Sequence, residues 1–193
     1  MLLFFNLPQV EGFITSAEDK EALLQERDSG GHTLAHWAAK RGDLDLLESL
    51  ISHGAPYLEP SEDAVGMLPI HWACTEGRLE VVRYMVDKGV NINCVDSSGC
   101  TPLLIAAQYG QADVAAYLIK KKADTGILDK NRDSAMNWAA YKGQLEIVAL
   151  LHYLELPVDN VDAFGQTPLH LAALRGNYPV VEYLVLDCDA PIG

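Results

Sequence analysis

Basic residues are scarce in this chain: 14 Lys and Arg stand against 27 Asp and Glu, for a formal charge of −13 at pH 7. Recognition of a phosphate backbone needs clustered Lys and Arg, so the balance argues against nucleic acid as the main partner. It modestly favours a basic or neutral peptide, and it serves solubility equally well. Cysteine is sparse too. Cys74, Cys94, Cys100 and Cys188 form no CxxC pair and no zinc-ligand spacing, so reduced thiols are expected and a metal is not. No apolar run reaches the roughly 18–20 residues that a membrane helix needs, so this segment is not expected to insert into a membrane. The apolar start, Met1 to Phe5, stops at Asn6 and Pro8 and lacks the basic flank of a secretory signal. No HExxH, Walker loop, dinucleotide fingerprint or nucleophile elbow occurs, and Gly30-Gly31 lacks phosphate-binding spacing. No catalytic constellation and no cofactor are expected from these residues, and a self-contained enzyme stands last among the readings.

Repetition is what the chain has. Thr167-Pro168-Leu169-His170-Leu171-Ala172-Ala173 is followed by Gly176 and Val180-Val181. Steps of 33 residues backward reach Ser134, Thr101 and Leu68, and a slightly longer step reaches Thr33. Each precedes a short helical pattern, a glycine and a second helical pattern. This period and punctuation resemble the ankyrin repeat, which implies an all-α ankyrin-repeat solenoid of paired antiparallel helices with hairpin-like fingers.

Each residue type in the phrase has a physical task. Thr101 and Thr167 offer cap oxygens to the first helix. Pro102 and Pro168 follow at the first helical position, where a missing N–H costs nothing. Ala106-Ala107 and Ala172-Ala173 allow close helix approach. Gly77, Gly110, Gly143 and Gly176 suit a left-handed helix end. Asp-x-x-Gly turns at Asp96 to Gly99 and Asp162 to Gly165 suit the fingers. Five units are read, at about 28–62, 63–95, 96–128, 129–161 and 162–193. Residues 1–27 read as a partial repeat and connecting segment, because Asn6 to Glu11 echoes Asn177 to Glu182 and Phe13-Ile14 matches Leu184-Val185. The chain thus reads as a piece of a longer array, with Met1 to Phe5 as a makeshift cap. Leu68 replaces the capping threonine, Arg132 replaces a finger glycine, and the connection from Gly54 to Gly66 is longer than the others. That connection is either an enlarged finger or a neutral surface insertion.

His36, His71 and His170 share one repeat position, where a histidine bonds backbone groups and keeps the stack in register. His32, His53 and His152 follow no pattern. Trp37, Trp72 and Trp138 share the next slot, occupied elsewhere by Ile105 and Leu171. Helix packing explains them, and so does an aromatic wall for a peptide, since Trp joins a large apolar face to one N–H donor. Residues just past the Ala pairs, together with the finger tips, are the candidate partner-binding surface. The selected residues are Arg41, Trp72, Glu76, Gln108, Tyr109, Tyr141, Lys142 and Phe164.

A narrower resemblance is carried by His36-Trp37-Ala38-Ala39, by Pro69-Ile70-His71-Trp72-Ala73 and by Gly99-Cys100. Ala106 to Gly110, Ala115 to Ile119 and Met136 to Tyr141 continue it. These runs resemble the ankyrin domain of ankyrin-bearing Asp-His-His-Cys palmitoyltransferases. The resemblance implies a substrate-recruiting domain that binds a short Pro-containing peptide beside Trp72. An Asn four residues after the first unit's Trp helps in that family, and Arg41 stands there in this chain. The catalytic motif and the membrane spans of that family are absent from these 193 residues. The expected partner is a protein or peptide bound by a monomer. The expected location is cytoplasmic, or the cytosolic face of a membrane such as the Golgi if the parent is a palmitoyltransferase. A stand-alone cytosolic scaffold or inhibitor is the alternative.

Overall fold

The computed structural model describes residues 20–188 and 190. The features read at Met1 to Phe5, Asn6 to Glu11, Phe13-Ile14 and Pro191 to Gly193 lie outside them. A short helix, α1 (Lys20–Gln25), is followed by five helix pairs: α2 (Leu34–Arg41) and α3 (Leu44–Ser52), α4 (Pro69–Thr75) and α5 (Leu79–Asp87), α6 (Pro102–Tyr109) and α7 (Ala112–Lys120), α8 (Ala135–Lys142) and α9 (Leu145–Tyr153), α10 (Pro168–Arg175) and α11 (Tyr178–Leu186). Among the described residues there is no strand, only an isolated bridge between Arg27 and Thr33. The expectation of an all-α repeat solenoid holds.

Local chemistry sets the helix ends. Thr101, Ser134 and Thr167 accept from the backbone N–H of Leu104, Asn137 and His170. Leu68 has no cap oxygen, and its own N–H instead donates to His71 Nδ1 at 3.1 Å. Gly110, Gly143 and Gly176 end their helices at φ 74°, 75° and 69°, a conformation without steric penalty only for glycine. In α4 the cap is Glu76, and the left-handed turn falls one residue later, at Gly77.

The chain forms two compact units, one ending at Val90 and the other beginning at Asn91. In the first, α2 packs on α4, and each packs on its own second helix, around Leu47, Leu50, Ile70 and Met85. In the second, α8 packs between α6 and α10, while α9 packs between α7 and α11. Ile105, Leu118, Met136, Ile147, Leu151 and Leu184 fill its interior. Each such side chain contributes about 1.5–3 kcal/mol by leaving water.

The fingers are tight loops organised by aspartate. Asp28, Asp96, Asp129 and Asp162 each use Oδ1 to accept two backbone N–H groups, from residues two and four further on. Successive fingers then join: Lys130 N–H donates to the Ser98 carbonyl at 2.9 Å, and Ala163 N–H to that of Asn131 at 2.8 Å. Arg132, in the finger glycine slot, is held at φ 65°. Polar side chains tie one first helix to the next. Asn177 Nδ2 donates to the carbonyls of Ala140 and Tyr141, and Arg78 Nε to that of Lys40.

The long connection folds back onto the first finger. Glu62 N–H donates to the Gly31 carbonyl at 3.3 Å, and Arg27 reaches the Pro60 carbonyl while pairing with Glu59 and Glu62. The insertion is therefore part of the fold of its unit.

Candidate functional site

In the first unit, aromatic rings gather beyond the Ala38-Ala39 pair. Trp37 and Trp72 are half-buried, with ring centroids 5.2 Å apart and nearly perpendicular planes. The Trp37 indole N–H donates to Asp28 Oδ2 at 2.9 Å. Asp63 stands at the same distance before Trp72 but is turned elsewhere. It accepts from Ser61, Val65 and Gly66, and its Oδ2 lies 3.1 Å from His32 Nε2. The Trp72 N–H thus has no hydrogen-bond partner among the described residues. His32 also meets Asp28 through Nδ1 at 3.0 Å, and it lies 4.5 Å from Trp72, centroid to centroid. Lys40 Nζ sits 5.0 Å from the Trp72 ring and 5.6 Å from Trp37, a cation–π arrangement over both. Burial acts to raise the Asp28 carboxyl, but hydrogen bonds from His32, Trp37 and Gly30 outweigh it and hold the group at about 2.

His36 lies beneath this cluster and is fully buried. Its Nδ1 accepts from Thr33 N–H at 3.1 Å, so Nε2 carries the proton and donates to the Met67 carbonyl at 2.8 Å. Burial pushes His36 down to about 4, leaving a neutral ring at physiological pH. This is the register role read for the shared histidine position. His32, which follows no sequence pattern, clamps the folded-back connection to the first finger. Its position four residues after the finger aspartate was the only signal available.

The second unit carries an open pocket of about 210 Å³ between the fingers and the ends of α8 and α10. Trp138, Tyr141, Phe164 and Leu174 form its walls, with Asp133 and Asp162 among its polar lining. Trp138 is set by its N–H, which donates to Asp129 Oδ2 at 3.1 Å, and by Tyr141, whose ring stands edge-on at 5.9 Å. Phe164 is 81% exposed and Leu174 65%, although both are apolar. Burial, together with the Asp129 and Asp162 carboxylates, raises the Asp133 carboxyl to about 6.

Of the residues selected from sequence, Tyr141 and Phe164 meet in this pocket. Lys142 is exposed beside it, with Nζ 5.8 Å from the Tyr141 ring. Tyr109 is 49% exposed on α6, and the Gln108 carbonyl accepts from Gln144 at 3.4 Å. Arg41, Trp72 and Glu76 belong to the first unit. Arg41 and Glu76 are exposed, with Arg41 Nη2 3.8 Å from Asp43. Asp162, read only as a turn residue, also lines the pocket.

Burial pushes the Cys94 and Cys100 thiols up to about 12, which keeps both protonated near neutral pH. No group of three or more His, Cys, Asp or Glu is arranged to hold a metal ion among the described residues. No helix of those residues is long and apolar enough to cross a membrane.

A family model described as Ankyrin repeats (3 copies) matches residues 9–96, 35–129 and 121–192. No curated protein matches the chain.

Proposed function

Because the chain belongs to the ankyrin-repeat family, a family that mediates protein–protein interaction, we propose that it captures a partner peptide at the finger tips and first-helix ends of its second unit. The exposed apolar walls of the pocket, Phe164 and Leu174 beside Trp138 and Tyr141, carry this reading. Water-exposed aromatic surface around a concavity contributes little to folding and is available to a ligand. The test is selection of a random-peptide library on the whole chain, followed by titration of the selected peptides against Phe164→Ala. Loss of binding at unchanged melting temperature supports the site. A chain that selects nothing above background refutes the reading.

The finer reading is a substrate-recruiting domain of a protein S-palmitoyltransferase, placed on the cytosolic face of a membrane such as the Golgi. Its support is the run His36-Trp37-Ala38-Ala39 together with Pro69 to Ala73. The intact mass of the endogenous protein tests it. A mass well above 21.1 kDa, with detergent needed for extraction, supports a membrane enzyme. A soluble protein of that mass leaves a cytosolic scaffold.

A further inference from the structure

Two carboxylates, Asp133 and Asp162, line the second-unit pocket, and neither is paired with a cationic side chain among the described residues. Asp162 is largely buried and its Oδ1 accepts from Phe164 and Gln166 N–H, while its Oδ2 has no protein hydrogen bond among the described residues and stays open to solvent. The equivalent oxygen of Asp129 accepts from Trp138, whereas the residue nine positions after Asp162 is Leu171, which has no N–H to offer. Asp133, half-buried, makes no side-chain hydrogen bond and no ion pair among the described residues. Asp129 has hydrogen bonds to both oxygens and lies outside the lining, so the carboxylate oxygens without a protein partner at the pocket are those of Asp133 and Oδ2 of Asp162. They are not arranged as a metal site. What faces them is aromatic: Trp138, Tyr141 and Phe164. The Tyr141 ring already has a guanidinium over it, with Arg175 Cζ at 4.8 Å, and Arg175 makes no salt bridge to these carboxylates.

Resting on the recognition reading above, we propose that this pocket takes one long basic side chain, Lys or Arg, of the partner peptide. Its aliphatic stem lies along Phe164 and Leu174, and its cationic head lies between the aromatic faces and the carboxylates of Asp133 and Asp162. The volume of about 210 Å³ suits one such side chain rather than a length of peptide. A cation gains there twice, from the negative ring faces and from carboxylates that have no other counter-charge. The −13 charge of the whole chain draws the same partners over longer range.

The test uses the whole chain and a random heptapeptide display library, with selected peptides remade singly. The proposal expects enrichment of Lys or Arg at one position. Replacement there by norleucine, which keeps the stem, weakens binding about tenfold near physiological salt. Asp133→Asn weakens binding by a similar factor without lowering the melting temperature, since its side chain makes no hydrogen bond to lose. Phe164→Ala, at an exposed tip, weakens it as well. Peptides that bind without a basic residue, or that are indifferent to Asp133→Asn, overturn the proposal and leave the recognition reading standing. Peptides whose basic residue depends on Trp72 instead move the site to the first unit and also overturn it. Failure to select any peptide removes the recognition reading and this proposal together.

Discussion

His36 and His170 occupy the same position in the repeat and should behave very differently when removed. His36 is fully buried, accepts from Thr33 N–H and donates to the Met67 carbonyl of the next finger. His170 Nδ1 likewise accepts from Thr167 N–H at 3.3 Å and lies 2.8 Å from Thr167 Oγ1, but the ring is exposed, and no further finger follows it among the described residues. His36→Ala leaves the buried Thr33 N–H without a partner, at about 1–3 kcal/mol, and opens a void, while the Met67 carbonyl keeps its bond from Ser61 N–H at 2.8 Å. The expected loss for the first unit is about 2–4 kcal/mol. His170→Ala loses only a solvated cap, worth about 1 kcal/mol. Urea titration followed by tryptophan fluorescence reads the effect, with Trp37 and Trp72 reporting the first unit and Trp138 the second. The ring adds a pH signature. Its folded value of about 4 lies below the ordinary 6.5, so the folded state binds fewer protons between those limits. Its contribution is complete above pH 6.5 and declines as pH falls toward 4, by on the order of 2 kcal/mol at pH 5. His36→Ala should lack that component. Equal losses for the two variants, or an unchanged pH slope in His36→Ala, would refute the register role.

Other outcomes follow from the same geometry. Asp133→Asn should raise the melting temperature of the free protein modestly at pH 7.5. The folded carboxyl titrates near 6, above its ordinary 3.8, so the cost of its charge is full above pH 6 and gone below about pH 4, where calorimetry should find the two proteins alike. Gly31→Ala should destabilise far more than Gly165→Ala. Both glycines have left-handed φ, +74° and +77°, with about 1 kcal/mol of strain for alanine in each, but a Cβ on Gly31 would meet Glu62 Cβ at 2.4 Å while one on Gly165 meets nothing within 4 Å. Comparable midpoint shifts would count against the fold-back of the long connection. Trp72→Ala should cost the first unit roughly 2–3 kcal/mol in a urea melt, because rings of His32, His36 and Trp37 surround it; a melt at the parent midpoint would mark Trp72 as free of packing duty.

The recurring phrase determined the paired helices, the caps at Thr101, Ser134 and Thr167, and the left-handed ends at Gly110, Gly143 and Gly176. These depend on residues within a few positions of each other, where chain geometry leaves few choices. The register histidine was legible from its place in the repeat, although its bond to the Met67 carbonyl spans 31 residues and is made only in the stack. Of the candidate surface, Tyr141 and Phe164 were selected from their places past an Ala pair and on a finger, and both line the pocket. Their convergence was not legible, because a pocket between Phe164 on one finger and Trp138 on a helix depends on how successive units seat. The spare oxygen of Asp162 stood half in view, in the contrast between Trp138 and Leu171 nine residues after their aspartates. His32 offered only its place four residues after Asp28. Its partner Asp63 lies 31 residues away and arrives only when the connection after Gly54 folds back. Periodicity specifies what each unit is, whereas contacts between units and across an insertion depend on side chains far apart in the chain, and only the tertiary structure decides those.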